Sequence, residues 1–107
     1  MKLLVKSDVA LSGISKEIVR IIPLVMDEYE TLNQDLMITS GLEGVHLAHS
    51  RHYDGDALDF KTHGVLRQDL VKIRNDLIFN LGSQYTVLIE DLGLPNEHMH
   101  IQYNRIR

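Results

Sequence analysis

Leu66-Arg67-Gln68-Asp69-Leu70-Val71-Lys72-Ile73-Arg74-Asn75-Asp76-Leu77-Ile78-Phe79-Asn80-Leu81-Gly82 carries Leu66, Leu70, Ile73, Leu77 and Leu81 at spacings of four and three. That recurrence draws one apolar face on a helix, and Gly82 is its C-terminal stop. Tyr85-Thr86-Val87-Leu88-Ile89 follows as a strand. A turn over Leu92-Gly93-Leu94-Pro95-Asn96 leads into a last strand from His98 to Tyr103. Upstream of the helix, Ala57-Leu58-Asp59-Phe60 reads as a strand leaving a loop over 41–56 that is rich in Gly, His and Asp. Leu36-Met37-Ile38-Thr39 is a further short strand. Ser15 with Ile18, Val19, Ile22, Val25 and Met26 starts an amphipathic helix. Ser15 is placed to cap it, and Pro23 is expected to kink or split it. Two main helices and about four short strands, without regular βαβ alternation, predict an α+β fold with a small, largely antiparallel sheet.

The chain has 107 residues, which suits one domain over 1–107 and one compact core. Its 44% hydrophobic and 24% charged content is that of an ordinary globular protein. No apolar run approaches the ~20 residues of a membrane helix. The opening Met1-Lys2-Leu3-Leu4-Val5-Lys6 is too short in its apolar part for a secretory signal. Synthesis in the cytoplasm, without an export address, is the expectation. There is no cysteine, which excludes disulfides, thiolate metal sites and a thiol nucleophile. The net charge of -4 and scattered basic residues argue against nucleic acid, where neutralising phosphates needs clustered Lys and Arg. Nothing in the sequence implies a partner protein.

Of six histidines, five fall in two short segments. One is Glu43-Gly44-Val45-His46-Leu47-Ala48-His49-Ser50-Arg51-His52-Tyr53-Asp54-Gly55-Asp56-Ala57-Leu58-Asp59, and the other is Glu97-His98-Met99-His100. Imidazole nitrogen and carboxylate oxygen are zinc ligands, and a catalytic zinc typically has three protein ligands and one open position. Gly55 permits a tight reversal, and Ala57 is small enough for close packing at the strand entry. Asp59 then points to the same face as Ala57, and His98 and His100 share a face by the same alternation. Adjacent strands would bring Asp59 to His100, with His52 reaching in from the loop. That alternation puts Glu97 on the opposite face from His98 and His100, unless the chain bends at Pro95-Asn96.

Ser50-Arg51-His52-Tyr53-Asp54-Gly55-Asp56-Ala57-Leu58-Asp59 resembles the S-x-H-x-x-G-x-A-x-D signature of the D-alanyl-D-alanine carboxypeptidase family. Glu97-His98-Met99-His100 resembles the second signature of that family, in which an acidic residue precedes the final zinc histidine. Glu43-Gly44-x-His46 is similar to small phage and bacterial members and to hedgehog. The vancomycin-resistance dipeptidases and phage L-alanyl-D-glutamate endolysins belong to the same group, and the hedgehog domain is a structural relative. The resemblance runs from about Thr39 to Tyr103.

The resemblance implies a hedgehog-like, D-Ala-D-Ala-peptidase-like fold. It implies a zinc ion on His52, Asp59 and His100, with Glu97 as the general base. His46 and His98 would lie near the substrate or the developing oxyanion. The implied reaction is hydrolysis of a peptidoglycan peptide bond beside a D-amino acid, of carboxypeptidase or endolysin type, with the cell wall as the place of action after release. Glu90, at the end of the preceding strand, is the rival base. Leu42 stands where relatives often carry an arginine that holds substrate, and this departure bears on turnover but not on metal binding. The alternative is a zinc-binding module of the same fold with little or no activity. His49 and His63 read as surface or local residues, and Tyr53 and Tyr103 as packing residues.

Overall fold

The computed structural model describes residues 1–43, 52 and 54–105. Strand β1 covers Leu3–Val5, and two helices follow, α1 over Lys16–Val19 and α2 over Ile22–Thr31. Strands β2, Leu36–Ser40, and β3, Ala57–Lys61, precede helix α3, Arg67–Leu81. The chain closes with β4, Tyr85–Glu90, and β5, His98–Tyr103. The strands form one mixed sheet in the order β1-β2-β3-β5-β4, in which β1 runs parallel to β2 and the other pairings are antiparallel. The fold is therefore α+β, as the sequence predicts. Strand β1 is an addition to the expected set, since Leu3-Leu4-Val5 showed only a run of three apolar residues.

Pro23 splits the first helix. The Ser15 side chain accepts from Ile18 N at 3.3 Å and caps α1. Pro23 then sits in the first turn of α2, where its missing N–H has no intrahelical partner to lose. The buried face of α3 is Leu70, Ile73, Leu77 and Leu81. Leu66 does not extend it. It is the extended residue before the helix and is 65% exposed, so the apolar stripe begins one turn later than its spacing suggests. Gly82 ends the helix with φ +88°, a conformation that disfavours a side chain.

Strand alternation divides the sheet. Leu36, Ile38, Leu58, Phe60, Val87, Met99 and Ile101 point inward and join Ile18, Ile21, Val25, Tyr29, Ile73 and Leu77 in one core. Each fully buried side chain of this size contributes about 1.5–3 kcal/mol. The outer face carries the chemistry. Asp59 lies directly across from His100, Lys61 across from His98, and Glu90 across from His98 on the other side. Ala57 and Asp59 are buried as well as the inward Leu58 and Phe60, so β3 is covered on both faces. Among the described residues no helix is long and apolar enough to cross a membrane.

Candidate metal centre

Three chain segments meet at Asp59. His52 is carried by a turn closed by Gly55 N donating to the His52 carbonyl at 3.0 Å. Gly55 has φ +74°, and its carbonyl accepts from Ser15 N at 2.8 Å. A Cβ at this position would stand 2.2 Å from the Gly13 carbonyl oxygen. The turn therefore crosses the 13–15 segment at a separation only glycine allows. The tight reversal expected of Gly55 is present, and it presses the His52 turn against the start of α1.

Register places the other two groups. Asp59 on β3 and His100 on β5 are direct cross-strand partners. His100 Nδ1 lies 2.8 Å from Asp59 Oδ1, and His52 Nε2 lies 3.2 Å from the same oxygen. The two imidazole rings meet edge-on, with centroids 5.1 Å apart. His52 is 3% exposed, Asp59 9% and His100 7%. One ligand atom from each lies within 4.8 Å of the others. The three residues are close enough to bind a metal ion.

The far side of each ring tests the fit. His52 Nδ1 donates to the Gly41 carbonyl at 2.8 Å. His100 Nε2 donates to Gln102 Oε1 at 2.8 Å. The Gln102 amide is oriented by its own Nε2, which donates to Asn104 Oδ1. A neutral imidazole has one N–H. With that proton used on the far side, each ring aims a lone pair at the Asp59 carboxylate. Two lone pairs against one anion need positive charge between them, either a second proton on each ring or a shared cation. A divalent cation removes that conflict, and zinc bonds of about 2.0–2.1 Å set tetrahedral neighbours about 3.3 Å apart. The donor set suits such an ion in ligand type, and its atoms lie within 4.8 Å of one another. Gly41 and Gln102 are the outer partners that metal-bound histidines typically require.

Charge at the site follows these contacts. Burial pushes the Asp59 carboxyl up, but hydrogen bonds from His100 and His52 outweigh it and hold the group well below the usual carboxylate range. Burial works against the charged form of His100, yet the bonds to Asp59 and Gln102 win and its affinity for a proton is raised. His98 is raised too. Burial opposes its charge, but the Asn96 carbonyl and the Asp59 and Glu90 carboxylates outweigh it.

The Gly41 carbonyl is itself fixed. The Glu43 carboxylate accepts from Gly41 N at 2.8 Å, Ala10 N at 2.9 Å and Ser40 Oγ at 2.9 Å. Partial burial alone would raise the Glu43 pKa, but these donors depress it. Glu43, singled out as part of an upstream motif, thus positions the oxygen that orients His52.

The two candidate bases separate. Glu90 Oε1 is 3.0 Å from His98 Nε2 and 3.8 Å from His100 Nδ1, so it borders the cluster. His98 Nε2 also lies 3.7 Å from Asp59 Oδ2. Glu97 is held by other donors. Its Oε1 accepts from Thr62 Oγ1 at 2.6 Å and its Oε2 from Gly93 N at 2.8 Å, and the Thr62 and Gly93 bonds lower its pKa. Glu97 stands one residue before β5, which starts at His98. Glu97 does line a cleft of about 570 Å³ together with Asp59 and His98. His46 lies outside the described residues, as do His49 and Tyr53. His63 is exposed, and Tyr103 packs against Tyr85 with centroids 5.3 Å apart.

Reading the sequence missed the supporting contacts. Gln102 was within reach, since it lies two residues beyond His100 on the same strand face. The fully buried Asp56, gripped by Arg105 through two 2.9 Å bonds, gave no local signal.

The fold and site thus define an α+β domain with a buried His-Asp-His group of metal-binding geometry. No protein-family model matches the chain, and neither the curated proteins nor the solved structures contain a match. The likeness to D-alanyl-D-alanine carboxypeptidases rests on the sequence motifs alone.

Proposed function

We propose that the chain is a zinc peptidase that hydrolyses a peptidoglycan peptide bond next to a D-amino acid. The observation that carries this reading is the convergence of His52, Asp59 and His100, with lone pairs turned to a common point and outer partners already engaged. The motif resemblance supplies the substrate class. His52 Nε2, an Asp59 oxygen and His100 Nδ1 would hold the ion. A zinc so held supplies a Lewis acid and a water of lowered pKa.

The remaining work belongs to side chains. Glu90 borders the cluster; it accepts the proton of the attacking water and returns it to the leaving amine as the peptide C–N bond breaks. His98 faces Glu90 and Asp59 and carries a proton on Nε2. It can donate to the oxyanion that develops as the bond is attacked. Asp59 holds both ligand rings in place and stays ionised.

A second reading is a zinc-binding module with little activity. The engagement of Glu97 by Thr62 and Gly93 favours it, as does Leu42. Digestion of purified peptidoglycan with the zinc-loaded chain, read by mass spectrometry of the fragments, decides between them. Release of peptides cut beside a D-residue supports the peptidase. Intact stem peptides at full zinc occupancy support the binding module.

A further inference from the structure

Asp59 meets its two buried histidines through one oxygen. His100 Nδ1 and His52 Nε2 both face Oδ1, at 2.8 Å and 3.2 Å. The other oxygen, Oδ2, is turned to His98 Nε2 at 3.7 Å. A second set of ligand-type atoms gathers there. Glu90 stands directly across from His98 in the β4–β5 register, and its Oε1 lies 3.0 Å from the same Nε2. One such atom from each of Asp59, Glu90 and His98 falls within 4.8 Å of the others. Two carboxylates and an imidazole are ligands of the types zinc accepts.

Three features separate this group from an ordinary patch of acidic side chains. The first is the aim of His98. Its Nδ1 donates to the Asn96 carbonyl at 2.8 Å, which leaves Nε2 as the nitrogen facing the carboxylates. The Asn96 carbonyl is itself anchored, because Asn96 Nδ2 donates to Asp91 Oδ2 at 2.9 Å and Leu94 N to the Asp91 carbonyl at 2.9 Å. Metal-bound histidines are oriented by outer partners of this kind. The second feature is the scaffold. Asp59 lies on β3, Glu90 ends β4 and His98 starts β5, so all three stand on one hydrogen-bonded sheet. The third is charge. Among the described residues, the ion-pair contacts of Asp59 and Glu90 are with histidines and not with lysine or arginine.

We propose that Asp59 Oδ2, Glu90 and His98 form a second divalent-cation site, weaker than the first and joined to it by the Asp59 carboxylate, whose filling switches cleavage off. It is weaker because Glu90 is the one new anion that the second ion gains, and because the two ions repel each other. The switch follows from the shared side chains. An ion on Glu90 occupies the carboxylate that takes the proton of the attacking water, and an ion on His98 removes the donor to the oxyanion. The binding site stands on the contacts above, whereas the switch rests on the peptidase reading.

Cobalt(II) is the probe, because it binds nitrogen and oxygen ligands as zinc does and has unpaired electrons. Calorimetric titration of the metal-free chain should show two steps, the second about tenfold or more weaker. Ions that share a bridging ligand lie about 3.5–4 Å apart. The second equivalent should therefore quench the paramagnetic resonance signal of the first by coupling, whereas an ion at an unrelated surface position would add its own signal. His98→Ala and Glu90→Gln should each lose the second step and keep the first, and Asp59→Ala should lose both. His63→Ala, at an exposed histidine, should keep both. A single step in the wild type overturns the site. So does a second step that survives both His98→Ala and Glu90→Gln, or a second signal that merely adds. Peptidoglycan digestion at rising zinc then reads the switch, and peptide release should fall about tenfold or more as the second step fills, the lower range for loss of a general base. Cleavage that does not fall overturns the switch. Two coupled ions with no cleavage at any zinc level support the site and overturn the peptidase reading.

Discussion

Gly55→Ala tests how the His52 turn is built. The added Cβ meets three backbone atoms: the Gly13 carbonyl oxygen at 2.2 Å, the Gly13 carbonyl carbon at 3.1 Å and the Ile14 α-carbon at 3.1 Å. None is the end of a flexible side chain, so the two segments must separate. Three losses add. A non-glycine residue at φ +74° costs about 1–2 kcal/mol. Separation breaks the Ser15 N to Gly55 carbonyl bond of 2.8 Å, worth about 0.5–1.5 kcal/mol. Relieving the overlap costs about 1–3 kcal/mol, the range of overpacked sites. The total is about 2.5–6.5 kcal/mol, a large share of the 5–15 kcal/mol typical of a domain, and Tm should fall by about 10 °C or more. Gly82→Ala is the control. Its backbone is at φ +88° and ψ -179°, but nothing lies within 4 Å of the added Cβ, so only the conformational term of about 1–3 kcal/mol applies. Denaturant unfolding of the two variants measures the difference, and zinc affinity should fall in Gly55→Ala but not in Gly82→Ala. Equal destabilisation, or unchanged zinc affinity in Gly55→Ala, would refute the crossing as the feature that places His52.

Other outcomes follow from the same contacts. Proton affinity at His100 is raised, so the metal-free protein keeps that proton above the usual value near 6.5. Zinc must displace it, and calorimetry in buffers of different ionisation enthalpy should show proton release, with affinity rising through and above pH 6.5. In the metal-free protein the raised pKa stabilises the fold below that range and the gain disappears as pH rises through it. Asp59, Glu43 and Glu97 are all depressed, so their contribution is present above about pH 4 and is lost in acid, which pH-dependent unfolding will show. Glu90→Gln should leave zinc bound and lower turnover by about 10²–10⁴-fold, while Glu97→Gln should act mainly through the lost Thr62 and Gly93 bonds. The opposite ranking in steady-state kinetics would make Glu97 the base. Glu43→Ala should destabilise by about 1.5–3 kcal/mol and weaken zinc binding by freeing the Gly41 carbonyl, as unfolding and chelator competition will show.

Much of the fold was written in local pattern. Leu70, Ile73, Leu77 and Leu81 mark α3, Pro23 marks the break between α1 and α2, and His98–Tyr103 is a strand at the expected bounds. Asp59 and His100 were placed on facing strands by alternation alone, and the register bears this out. What stayed hidden depends on distant pairing. β1 is three residues long and parallel to β2 with Leu3 beside Leu36, a contact with no local signature. Leu66 carries the helical spacing but precedes the first turn. Glu90 comes to the edge of the cluster through the β4–β5 register, which local pattern does not show. Asp56 and Arg105 are 49 residues apart and only the closed sheet brings them together. The Gly41 carbonyl that orients His52 is backbone, to which side-chain pattern is blind.

The most direct measurement is elemental analysis of the protein after zinc incubation and removal of free metal, with His52→Ala, Asp59→Ala and His98→Ala alongside. The account predicts close to one zinc per wild-type chain. His52→Ala and Asp59→Ala should lose most of it while remaining folded by circular dichroism, and His98→Ala should keep it. Folded wild-type protein that retains no zinc would contradict the metal centre and the peptidase built on it.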